Sequence, residues 1–133
     1  MIMLKSIINK IWKSEGQEDI STPKNANAEF VLIYKNLPIG KLKVSNGVWH
    51  FNYSEEFRKQ SEILPLVDFP DTNLNYESTQ LWPFFSYRIP GLNQPSVQEI
   101  INKKRIDKNN EVELLKQFGK FSIYNPFQLT PAF

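Results

Sequence analysis

Few residues of this 133-residue chain have the types that do chemistry. It has one histidine, His50, and no cysteine. Histidine-dependent triads and thiolate or imidazole metal clusters therefore lack their parts, and disulfides are excluded. Carboxylates lie close together in sequence three times, as Glu55 with Glu56, Asp68 with Asp71, and Glu111 with Glu113. Acidic residues favour the first turn of a helix, which accounts for the outer two pairs, and the middle pair reads as a turn. Gly16, Gly40, Gly47, Gly91 and Gly119 stand alone, so no glycine-rich loop is available to cradle a phosphate. The expectation is a protein that is not an enzyme and holds no metal or cofactor.

Recognition is the better-supported chemistry, and it concentrates in Leu81 to Gly91, LWPFFSYRIPG. Pro83 suits the first turn of a helix, where its missing N–H costs nothing, which puts Trp82 at the cap or just outside it. A tryptophan held there serves either the core, beside Phe85, or an interface, because large aromatics are used in both. Tyr76, Ser78, Gln80 and Arg88 flank it as a candidate polar rim. Together with Trp82 and Pro83 they form the candidate partner-binding set.

The composition is that of one globular domain, with 41% hydrophobic and 23% charged residues. A net charge of +2, with the run Lys103, Lys104, Arg105 as its only basic cluster, gives little support to direct nucleic-acid binding. No stretch approaches the roughly 20 apolar residues that span a bilayer, and the first residues lack a small-residue cleavage site. The expected location is the cytoplasm.

These residues must be positioned by local elements, and the pattern predicts an α+β fold. Leu4, Ile7, Ile8, Ile11 and Trp12 recur at helical spacing, so residues 3–13 read as a short amphipathic helix. Such a helix lies on a membrane surface, docks on a partner or packs back on its own domain. The polar stretch 15–28 reads as a linker, which divides the chain into an N-terminal part, 1–28, and a domain, 29–133.

An apolar run from Phe30 to Tyr34, a turn at Asn36 to Pro38, a run from Ile39 to Val44 and the hairpin signal Asn46-Gly47 predict an antiparallel meander. Its third strand places Trp49, Phe51 and Tyr53 on one face, with His50 on the other. Ser54 caps a brief helix over 55–60. Ile63 to Val67 reads as an edge strand or extended segment, because Pro65 interrupts it. Asp68 to Gln80 reads as a polar excursion. Beyond the helix that Pro90 and Gly91 end, the sequence predicts helices from Pro95 to about Ile106 and from Asn110 to Phe118. A final strand follows over 120–129, broken by Pro126. Phe84 and Phe85, with the three strand aromatics, are assigned to the core.

In order, IYKNLPIGKLKVSNGVWHFNYSEEF, LPL, YESTQLWPFFSYRIPG and ELLKQFGKFSIYNP resemble the N-terminal subdomain of HipA-like serine/threonine kinases over about residues 30 to 126. The order of the motifs is more specific than any one of them. Two departures are Ile89, where the family has leucine before the proline, and FSIYNP, where it continues with glycine and alanine. Only 14 residues follow Gly119, far fewer than the ATP-binding and catalytic elements of phosphoryl transfer need.

A free-standing subdomain of this kind is similar to the small subunit of tripartite HipBST toxin–antitoxin systems of bacteria. There the kinase HipT lacks this part, and HipB is a helix-turn-helix DNA-binding protein. The resemblance implies a subunit that docks on a HipT-like kinase and inhibits it, or that scaffolds the kinase with a HipB-like protein without inhibiting it. It also implies that the tryptophan of the aromatic segment, Trp82 here, faces the kinase active site.

Overall fold

The computed structural model describes residues 16–132. The helix expected over residues 3–13 lies outside them. Five strands form one antiparallel sheet in the order β4-β3-β2-β1-β5. They are β1 (Asn27–Tyr34), β2 (Leu37–Ser45), β3 (Val48–Tyr53), β4 (Tyr76–Ser78) and β5 (Gln128–Ala132). Among the described residues four short helices, α1 (Glu55–Arg58), α2 (Pro83–Ser86), α3 (Pro95–Lys104) and α4 (Glu111–Phe118), join the sheet in the expected α+β architecture.

Two tight turns set the meander. At Asn46 and Gly47 both φ angles are positive, 49° and 77°, as the Asn-Gly signal requires. The first turn differs from the expected Asn36 to Pro38. Its central residues are Lys35 and Asn36, with φ of 46° and 70°, and Leu37 and Pro38 already belong to β2. Pro38 is tolerated because β3 pairs with β2 only as far as Gly40, so no β3 residue faces it. The register against β1 slips from Leu32↔Gly40 to Ile33↔Pro38, which leaves Ile39 as a bulged residue. Ile39 and Gly40 are consequently both buried. A Cβ at Gly40 would meet the Asn52 carbonyl at 2.6 Å and the Phe51 ring at 2.7 Å, so glycine is needed there.

Alternation divides the sheet. Phe30, Leu32, Leu42, Val44, Trp49, Phe51, Tyr53 and Leu129 turn to the core, where they meet Phe57, Phe85, Val97, Ile101, Val112, Leu114 and Leu115 from the helices. The other face is charged. Lys41 and Lys43 lie 3.7 and 3.9 Å from Glu29, and His50 Nδ1 lies 3.5 Å from Glu77 Oε1. His50 is thus a sheet residue of the solvent face, as expected.

Two stretches differ from the sequence reading, and in a third, Ile63 to Val67, the edge-strand alternative is the one that fails. The fourth strand is Tyr76–Ser78, inside the supposed polar excursion, and it pairs with Trp49 to Phe51. Ile63 to Val67 forms no ladder. Its backbone groups are taken by side chains instead, Ile63 by Gln60 at 2.8 and 3.0 Å and Leu66 N–H by the Tyr53 hydroxyl at 2.8 Å. The final strand begins only at Gln128, because the carbonyls of Gly119, Lys120 and Phe127 are drawn to Arg88.

The part of the supposed linker from Gly16 on is stitched to the domain. Ile20 joins the core, and Ser21 bridges to Asn110. Thr22 accepts from Trp49 Nε1 at 2.8 Å and donates to Glu111 at 2.7 Å.

Tyr53 holds the α1–β4 loop in place. Its hydroxyl donates to Phe69 O at 2.6 Å as it accepts from Leu66 N. Burial pushes its pKa up to about 12 from 10.0, against the lowering effect of the Leu66 hydrogen bond. Tyr53→Phe leaves both buried backbone groups unpaired, and denaturation below pH 10 is expected to show a loss of about 1–3 kcal/mol. The folded state holds this proton more tightly than the unfolded chain does. The parent therefore keeps the contribution below pH 10.0 and loses it as pH rises through about 12. In the variant that alkaline loss is expected to disappear.

Candidate functional site: an aromatic helix start on a fixed platform

The site is built on Phe69, which is fully buried although it lies in the stretch that reads as polar. Its ring contacts Phe51 at 4.4 Å, Phe85 at 6.1 Å, and Tyr76 and Trp82 edge-on at 5.0 Å each. Tyr76 is held in turn by Asp71, whose N–H it accepts at 2.7 Å and whose carbonyl it donates to at 3.1 Å. The packed rings make a rigid base for whatever lies above them.

Trp82 is that residue. It occupies the cap of α2 in an extended conformation, φ −63° and ψ 144°, with Pro83 at the first helical position. Its carbonyl accepts from Phe85 and Ser86 N–H at 2.9 and 3.0 Å, which fixes the backbone. The side chain is half-buried, packed in T-shaped contacts on Phe69 and Phe85 with part of its surface left open.

Comparison with Trp49 separates a core role from an exposed one. Trp49 is fully buried and its indole N–H is satisfied by Thr22. Among the described residues the Trp82 indole N–H meets no acceptor. It remains available to water or a partner, as suits a tryptophan at an interface.

The other sequence candidates divide. Pro83 and Gln80 are exposed, Ser78 and Tyr76 half-buried, and the Ser78 hydroxyl accepts from Gln80 N–H at 3.0 Å. Tyr76, Ser78 and Gln80 share the strand and loop that lead into α2, and Pro83 is its first residue.

Arg88 does not belong to a polar rim. It is 4% exposed and its guanidinium points inward. Nη1 donates to the carbonyls of Gly119, Lys120 and Phe127 at 3.2, 3.4 and 3.0 Å, and Nη2 to Asn125 Oδ1 at 3.0 Å. Burial lowers its pKa to about 10, so it stays charged at neutral pH. A charge is rarely buried without several oriented oxygens, and here the C-terminal loop supplies them. Arg88 ties α2 to that loop.

Phe85 is fully buried, whereas Phe84 is half-buried and packs against the rim of the core near Phe127, with ring centroids 6.1 Å apart. The sequence reading missed Leu64, Val67 and Leu74, exposed apolar residues of the α1–β4 loop that carries Phe69. Val67 is 94% exposed. The signal available was Leu64 before Pro65, Val67 beside Asp68 and Leu74 beside Asn75, each apolar residue set next to a turn-forming one. The carboxylate pairs fall where expected, Glu55 and Glu56 in the first turn of α1, Glu111 and Glu113 in that of α4.

The described residues form a small α+β module of one antiparallel sheet and short helices, with a half-buried tryptophan at a helix start. Residues 31–123, more than half of the chain, match the HipA N-terminal domain, and the chain belongs to that family. Membership makes it a HipA-related component of the toxin–antitoxin type. A comparison with curated proteins finds no match. Among the described residues no helix is long and apolar enough to cross a membrane.

Proposed function

We propose that this chain is a non-catalytic, cytoplasmic binding subunit that docks on a HipT-like serine/threonine kinase and inhibits it by placing Trp82 at the kinase active site. The observation that carries the reading is the state of Trp82, half-buried on a fixed aromatic platform with its indole N–H unmatched among the described residues. A side chain held this way loses little conformational freedom on binding and brings a large apolar face with one polar handle, as interface anchors do. Leu64, Val67 and Leu74 add apolar surface from the loop packed on the same platform.

The test is a kinase assay in which the purified chain is titrated into a HipT-like kinase that lacks this subdomain. Inhibition that saturates at a fixed stoichiometry is expected. Binding without inhibition would assign the chain to the scaffold role, beside a HipB-like DNA-binding protein, and no binding would remove both readings.

A further inference from the structure

The loop between α4 and β5 exposes Phe121, Ile123 and Tyr124, and Ile123 is 92% exposed. Tyr87, at the end of α2, extends this patch, its ring 5.9 Å from that of Tyr124. The loop backbone is fixed, because the buried Arg88 guanidinium holds Gly119 and Lys120 at one end and Asn125 and Phe127 at the other. Large apolar side chains presented to water from a fixed frame mark a docking surface, since little order remains to be gained on binding.

The course of the chain at Gly16 identifies the occupant. A Cβ on Gly16 would meet Asn93 Oδ1 at 2.8 Å and Leu92 Cβ at 3.2 Å, so its backbone lies against the loop between α2 and α3. Gln17 Nε2 donates to the carbonyls of Ile89 and Pro90 at 2.9 and 2.6 Å. Residues 1–15 are therefore tethered beside the segment that begins two residues after Tyr87. Four residue steps, at most about 14 Å of extended chain, join Trp12 to Gly16. Upstream of Trp12 the sequence carries Leu4, Ile7, Ile8 and Ile11 at three- and four-residue spacing.

We propose that this apolar stripe of residues 4–12 covers the patch of Tyr87, Phe121, Ile123 and Tyr124 within the same chain. Tethering decides against a second copy as the occupant. A short linker holds the segment at an effective concentration on the order of millimolar, which a free protein in the micromolar range does not match. Of the three roles that the sequence leaves open for the N-terminal segment, this one needs no membrane and no partner. It stands apart from the kinase reading.

The chain has no cysteine, so a single thiol reports cleanly. In the full chain, Ile123→Cys is labelled with a charged maleimide, with and without Ile8→Ser and Ile11→Ser. A cover in place roughly 80% of the time slows labelling about fivefold, and the two serine substitutions are expected to remove that protection. Ile123 is almost wholly exposed in the described residues, so the thiol leaves the fold intact. Equal labelling rates would overturn the proposal, as would protection that fades on dilution, which would name a second copy.

Discussion

Arg88→Met is expected to cost the fold about 3 kcal/mol and to bring the unfolding transition close to physiological temperature, since domains of this size have only about 5–15 kcal/mol in hand. Methionine keeps most of the buried volume, so the loss measures the hydrogen bonds. Lys120 O also accepts from Leu129 N–H at 3.0 Å, and Asn125 Oδ1 from Phe127 N–H at 3.1 Å, so both stay paired in the variant. Gly119 O and Phe127 O lose the partner the guanidinium gave them. Each buried group left unpaired costs about 1–3 kcal/mol, and release of the arginine from its desolvated site offsets part of the sum. Arg88→Lys, with one donor nitrogen in place of a fork, is expected to fall between the two. Denaturant unfolding of the three proteins measures the effect. A Met variant as stable as the parent would show that the loop is held without Arg88.

Trp82→Ala is expected to leave the fold in place and to remove inhibition of the kinase. The stability cost comes from the T-shaped contacts with Phe69 and Phe85 and the area they bury, about 1–3 kcal/mol, below that of a core tryptophan because part of the side chain is already open to solvent. Truncating an anchor that fills a cleft costs about 2–4 kcal/mol of binding, roughly 30- to 1000-fold in the inhibition constant. Trp82→Phe keeps the packing and loses the indole N–H, so its inhibition constant should lie between. Thermal unfolding followed by circular dichroism separates a folding defect from a binding one. If the alanine variant inhibits as well as the parent, Trp82 does not act at the kinase active site.

How far each prediction was legible in the sequence differs. Pro83 after Trp82 announced the helix start, because proline at the first helical position and the cap before it are set by local sterics. Whether the indole was core or surface was not written there, since an aromatic beside another aromatic satisfies both. Arg88 was misplaced for a related reason. A lone arginine among aromatics reads as exposed, and the oxygens that let it be buried come from Gly119 to Phe127, more than thirty residues later. Phe69 and β4 were hidden in a segment whose composition is polar, where three residues in a strand and one phenylalanine are too few to show a period.

The sequence by itself determined what depends on near neighbours: the Asn46-Gly47 hairpin, the alternation of Trp49, Phe51 and Tyr53, the Asn110 cap of α4, and the family to which the ordered motifs belong. Tertiary structure alone decided what depends on partners distant in the chain: that β4 closes one edge of the sheet and β5 the other, that Phe69 underlies Trp82, and that a buried Arg88 joins the two ends of the C-terminal loop. Turn sterics and side-chain period act over a few residues and are printed in the local order of the chain. Burial and hydrogen-bond satisfaction are settled by whatever the finished fold brings alongside.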